Sequence, residues 1–247
     1  MTQLKNTNCY CKFYPILFIL QQIRIMKYIY LLSIAALLTF SAHAQKNKVK
    51  IETEYGNIII MLYDNTPLNT ENMVKNAKEH MYDSTLFHRC IPQFMIQGGD
   101  PDSKHATPGQ ALGMGGLKYT IPAEINDVNY HKRGALGVAR DGNPAKAGSA
   151  TQFYIVTGKT FTDADLDMLT QRTNRTLTPE QREMYKTKGG APHLDGSYTV
   201  FGEVVEGMEV VDKISAEPRD RADRPNKDIR MKVTVMKNKK KKKFLFF

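Results

Sequence analysis

The sequence predicts an all-β domain with few helices, and three observations carry that expectation. Eight stretches of four to eight residues, rich in Val, Ile, Phe, Tyr and Thr, recur between residues 49 and 236 and are bounded by Gly, Pro, Asn or Asp. Only two windows outside those stretches have the spacing of a core helix: Met73, Val74, Ala77 and Met81 after Thr66-Pro67, and Met208 to Ile214. A third segment, residues 161–190, carries helix start and stop signals and interrupts the strand pattern.

Length and charge bound the rest. About 200 of the 247 residues remain after an apolar leader, enough for one domain with a core. The net charge of +10 suggests a nucleic-acid partner until it is located. Lys5, Lys12, Arg24 and Lys27 lie in residues 1–44, and Lys237 and Lys239 to Lys243 lie in the tail, so removing these ten from 35 leaves 25 basic against 25 acidic side chains. The folded body is neutral, and no nucleic-acid partner is expected.

Residues 26–44 read as a secretory signal: Lys27, an apolar run from Tyr28 to Phe40, and a cleavage site at Ala42-His43-Ala44. The apolar run of thirteen is short for a spanning helix, which needs about 20 residues. An exported, periplasmic protein follows, with an uncleaved membrane anchor as the alternative. Residues 1–25 read as an upstream extension before a start at Met26. The domain is expected over 45–236. The basic tail, 237–247, reads as solvated, and its terminal Phe244-Leu245-Phe246-Phe247 could touch an anionic membrane surface.

In order, Val49–Thr53 and Asn57–Tyr63 make a hairpin, and Thr66 caps a helix that Pro67 starts. Phe87–Ile91 and Phe94–Gln97 are strands around a Pro92-Gln93 turn. Alternation places Phe94 with Ile96 on one face and Met95 with Gln97 on the other. Residues 101–116 are a glycine-rich loop without the spacing of a dinucleotide fingerprint. Strands follow at Gly134–Arg140, Gln152–Val156, Thr199–Val205 and Ile229–Met236. In the insert, Thr178-Pro179-Glu180-Gln181 is a capping box and Gly189-Gly190 a stop, which predicts one helix or a helical hairpin near the groove. The insert reads as surface decoration, with a partner-binding surface as the other reading. His88 is expected to be a buried structural histidine. Cys90, the one cysteine beyond the leader, reads as a small buried hydrophobe, with a reactive thiol as the lesser reading.

Phe87-His88-Arg89-Cys90-Ile91-Pro92-Gln93-Phe94-Met95-Ile96-Gln97-Gly98-Gly99-Asp100 resembles the signature of the cyclophilins, the peptidyl-prolyl cis-trans isomerases. Gln152-Phe153-Tyr154-Ile155 and His193 through Val204 extend the resemblance, which runs from about Val49 to Met236. It implies a closed eight-stranded antiparallel β-barrel capped by two α-helices, here with a helical insert. The implied task is isomerisation of prolyl bonds in proteins folding outside the cytoplasm, by a monomer that needs no cofactor or metal. The alternative is a non-catalytic proline-peptide binding module or chaperone of the same fold.

The resemblance makes Arg89, Phe94 and Gln97 the candidate catalytic residues, with Arg89 as donor to the prolyl nitrogen. The substrate-binding candidates are Met95, Met114, Ala139, Arg140, Gln152, Tyr154, His193, Leu194 and Tyr198. Phe94, Met95, Tyr154 and Leu194 would form the proline pocket, while Gln97 and Gln152 fix peptide carbonyls and amides. Four of these depart from the common family pattern: Met114 replaces threonine, Tyr154 phenylalanine, His193 tryptophan and Tyr198 histidine. The hydroxyl of Tyr154 must find a partner if it is buried. No G-x-S-x-G elbow, H-E-x-x-H or paired CxxC is present, so hydrolase and zinc readings have no support.

Overall fold

The structure is a computed structural model that describes residues 47–236 and, before them, Met26 alone. The expectations for the leader and for the lysine tail lie outside the described residues.

Ten strands and four helices are described. Strands β1 (Lys48–Thr53), β2 (Gly56–Leu62), β3 (Phe87–Ile91), β4 (Met95–Gly98), β6 (Ala135–Val138), β8 (Phe153–Val156), β9 (Val200–Glu206) and β10 (Lys232–Val235) form one antiparallel sheet in the order β10-β1-β2-β9-β6-β8-β4-β3. β5 (Thr120–Ile121) and β7 (Gly148–Ser149) pair separately. The helices are α1 (Pro67–Lys78), α2 (Asp163–Thr173), α3 (Pro179–Thr187) and α4 (Met208–Ser215).

The expectation of a closed barrel is corrected to an open, curled sheet whose edges are β3 and β10. The chain before β10 approaches the start of β3 through one isolated bridge, Leu86 to Arg230, and through bonds such as Phe87 N–H to Ile229 O at 3.0 Å. A register shift between Phe87 and Arg89 bends β3 there, and regular strand begins only at Lys232 rather than at Ile229. The seam is therefore stitched at one end and not laddered.

Strand alternation gives this sheet two occupations. Inward, Val49, Ile51, Ile58, Ile60, Cys90, Ile96, Leu136, Phe153 and Ile155 are buried together with Met73 and Ala77 of α1 and Val210, Val211 and Ile214 of α4. Phe153 meets Tyr82 and Phe87 edge to face at 5.8 and 6.3 Å. Outward, the intervening residues Met95, Ala135, Tyr154, Val156 and Val200 gather into a second cluster. The candidate site lies on that outer side.

Thr66 precedes Pro67 as expected but does not cap α1 with its side chain; its hydroxyl donates to Tyr63 O at 3.3 Å. Glu124 caps the helix instead, its carboxylate accepting the Leu68 and Asn69 N–H groups at 2.9 Å each. The insert holds two helices, each opened by a complete capping box, Thr162 with Asp165 and Thr178 with Gln181. Leu166, Leu177 and Tyr185 form its own small core with Tyr130 and Phe161.

Candidate functional site

Register builds the outer face. Arg89 pairs with Gln97, Gln97 with Tyr154, and Tyr154 with Gly137, so a single cross-strand row runs over β3, β4, β8 and β6. Adjacent strands are about 4.8 Å apart, so the row spans about 14 Å. Gly137 is needed where it stands. A Cβ there would lie 2.2 Å from Tyr154 Cζ, because the Tyr154 ring covers that position.

Phe94 corrects the strand assignment. It does not share a face with Ile96, because β4 begins only at Met95. Gln93 adopts a left-handed φ of +61°, and the turn it makes swings Phe94 out of the alternation. The Phe94 carbonyl accepts from Thr157 and Gly158 N–H at 3.0 and 3.1 Å, and its ring packs with the outward cluster of Met95, Tyr154, Leu194 and Tyr198. Met95 and Tyr154 are 2% and 5% exposed and form the floor. Tyr198 meets the Tyr154 ring edge-on at 6.1 Å, and the Arg140 guanidinium lies 4.4 Å above the Tyr198 ring. His193, at the rim, stacks obliquely on Phe94 at 5.2 Å. An apolar recess with aromatic walls results.

Beside it lies a second recess of about 320 Å³, lined by Gln97, Met114, Ala139, Arg140 and Gln152 among others. Met114 is 97% exposed at its mouth. The glycine loop that makes this wall is tied down from two sides. The fully buried Asp100 carboxylate accepts from Gly113 N–H at 2.5 Å and Gly115 N–H at 3.3 Å. The Gln152 side-chain amide donates to the carbonyls of Gly113 and Gly115 at 3.0 and 2.6 Å, and accepts from Gln97 Nε2 at 3.1 Å. Gln152 was expected to hold peptide. Its amide hydrogens are instead committed to the loop, leaving Gln97, through its carbonyl oxygen and second amide hydrogen, as the amide open to a ligand among the described residues.

Arg89 sits at the end of the row with its side chain 43% exposed. Among the described residues its guanidinium makes no hydrogen bond, and the nearest carboxylate, Asp223, is 4.0 Å from Nε. Asp223 is held at 3.1 Å by Arg219. Arg89 thus keeps its donors in hand.

The Tyr154 hydroxyl has a partner that sequence reasoning missed. It lies 2.8 Å from His131 Nε2; His131 Nδ1 is 2.7 Å from Asp195 Oδ1, and Asp195 Oδ2 accepts from Tyr185 of α3 at 2.6 Å. Asp195 was visible inside the His193–Val204 block, but His131 lies 64 residues away from it with no local signal. Burial pushes the Tyr154 phenol well above its ordinary pKa, so it stays a proton donor. Burial likewise pushes the Cys90 thiol up to about 12. Among the described residues no group of three or more His, Cys, Asp or Glu side chains is placed to hold a metal ion.

An aromatic recess and an amide-lined recess lie side by side on the outer face of a curled sheet, joined by the row of Arg89, Gln97 and Tyr154. The model of the cyclophilin type peptidyl-prolyl cis-trans isomerase family matches residues 48–235, and the chain belongs to that family. A peptidyl-prolyl cis-trans isomerase of Acinetobacter baylyi is 35% identical over 73% of this chain and 79% of its own. The peptidyl-prolyl cis-trans isomerase-like 2 protein of Rhizopus delemar is 34% identical over 78% of this chain. The chain spans 29% of the length of that relative and 37% of a Streptococcus pyogenes relative that is 36% identical. Two crystal structures of a Cryptosporidium parvum cyclophilin type peptidyl-prolyl cis-trans isomerase are 25% identical, with TM-scores of 0.58 and 0.57. They cover 78% and 77% of this chain and 99% of theirs, and the second was determined in the presence of the dipeptide Ala-Pro.

Proposed function

We propose that this protein accelerates cis-trans isomerisation of prolyl bonds in polypeptides that fold outside the cytoplasm, with Arg89 as the donor to the prolyl nitrogen. Rotation about a peptide bond meets a barrier of about 18–20 kcal/mol because the nitrogen lone pair is conjugated with the carbonyl. At the twisted transition state that lone pair is localised and can accept a hydrogen bond it could not accept in either planar state. A donor placed there lowers the barrier without strengthening ground-state binding, which is the condition for catalysis. Guanidinium suits the role, since it stays charged and does not give up its proton. Phe94, Met95, Tyr154 and Leu194 would take the proline ring, and Gln97 would fix the neighbouring backbone.

The observation that carries this reading is the row itself, with Arg89 one strand from Gln97 and two from Tyr154, its donors unspent. Names carried by the relatives, and the Ala-Pro dipeptide used with the Cryptosporidium structure, support the substrate class. The signal-like residues 26–44 support export, with the periplasm as destination.

Turnover of an Ala-Pro-containing tetrapeptide tests the assignment. Arg89→Ala is expected to lower kcat by about 10²–10³, the usual cost of losing one transition-state donor. Peptide affinity measured by calorimetry should survive. Equal turnover by both proteins would remove Arg89 from the mechanism.

A further inference from the structure

We propose that the 161–190 insert acts on the groove through Tyr185, and that Tyr185, Asp195 and His131 are positioning residues for Tyr154, the floor of the proline pocket. The inference rests on reading that recess as the proline site.

The geometry is continuous and dry. Tyr185 is 0% exposed in the insert's core, the His131 and Asp195 side chains are each 1% exposed, and Tyr154 is 5% exposed. Asp195 accepts three hydrogen bonds: from the His131 backbone N–H at 2.9 Å, from His131 Nδ1–H at 2.7 Å and from the Tyr185 hydroxyl at 2.6 Å. The carboxylate at Nδ1 holds the ring proton there, which leaves Nε2 as the acceptor. Tyr154 therefore donates its hydrogen to Nε2 and turns only its oxygen lone pair and ring toward the groove. Asp195 also follows Leu194, a wall of the same recess. Without the Tyr185 hydroxyl, Asp195 Oδ2 has no donor among the described residues, and the imidazole that sets the tilt of Tyr154 loses its anchor. An insert that merely covered the surface would need none of this.

The test is a double-mutant cycle on the full chain with Tyr185→Phe, Tyr154→Phe and the pair. Tyr185→Phe is expected to lower kcat/KM for an Ala-Pro tetrapeptide by about two- to thirtyfold, the range seen for coupled residues outside a site. In the Tyr154→Phe background that loss should vanish, because no hydroxyl remains to be oriented, while the loss in urea midpoint persists. The same fold-loss in both backgrounds, or a loss of stability without one in kcat/KM, overturns the inference and leaves the isomerase reading standing. Should Tyr185→Phe fail to fold, the wild-type His131 ring decides. Its 15N resonances should show Nδ1 protonated and Nε2 bare, and should move on saturation with the peptide; unmoved resonances overturn the proposal. A wild type that neither turns over nor binds the peptide overturns the isomerase reading itself, and this inference with it.

Discussion

Gly137→Ala tests whether the groove floor is set by close approach. The substitution asks nothing unusual of the backbone, since Gly137 is not among the positive-φ glycines. Its cost is contact. The new methyl would lie 2.2 Å from Tyr154 Cζ and 2.4 Å from its Cε2 and hydroxyl oxygen. To regain an ordinary separation of 3.4 Å, the ring must retreat by about 1.2 Å, and it is bounded by Tyr198 and by the hydrogen bond to His131. A shift of that size along the bond stretches it from 2.8 Å to about 4 Å, beyond hydrogen-bonding range. Overpacking of this kind costs about 1–3 kcal/mol. Leaving the His131 nitrogen buried and unpaired costs about 1–3 kcal/mol more. The expected loss is about 2–6 kcal/mol in urea unfolding, with a rise in KM for proline peptides. Adding Tyr154→Leu, which withdraws the ring, should recover the overpacking part of the loss but neither the part due to the unpaired His131 nitrogen nor the KM. A Gly137→Ala protein as stable and as active as the wild type would show that the ring has room to move, and the account of the floor would fail.

Three further outcomes are expected. Thr178→Ala breaks the capping box of α3 and should cost about 1 kcal/mol in urea unfolding, with little change in turnover. Among the described residues neither ring nitrogen of the buried His88 is within hydrogen-bonding geometry of a partner, and burial holds its pKa below the ordinary 6.5 despite Asp100 and the Leu86 backbone nearby. The unfolded chain therefore binds a proton that the folded one refuses, so stability is full above about pH 6.5 and falls below it by up to about 1.4 kcal/mol per pH unit. His88→Asn should flatten the urea midpoint between pH 6.5 and 5; an unchanged slope would clear His88. Cys90 is fully buried with its thiol pKa near 12, so a Cys9→Ser/Cys11→Ser chain should react with a thiol reagent only once unfolded. Rapid native labelling would contradict that.

The sequence made the strands and most of the groove legible because both are written at short range. Alternation in β8 separates Phe153 and Ile155 from Tyr154, and the capping box of α3, Thr178 with Gln181, completes itself within four residues. What escaped depends on partners far along the chain. The Thr66-Pro67 pair marks the start of α1 correctly, yet the cap comes from Glu124, 56 residues beyond Leu68. Phe94 was misplaced because one left-handed residue, Gln93, ended the turn later than alternation assumed. Gln152 looked like a free amide because nothing local announces that Gly113 and Gly115 will fold over it. Barrel closure failed for a related reason: the letters of Ile229–Met236 suit a strand, but only Lys232–Val235 ladders against β1.

The Glu124 cap has a consequence for the order of assembly. Propensity alone leaves the opening turn of α1 without acceptors for its exposed amides, since the missing carboxylate arrives only when a later piece of chain has been threaded past it. Amide protons of Leu68 and Asn69 should thus gain protection from solvent exchange late in refolding, with the docking of residues 120–124, while those of Met73 and Ala77 gain it early.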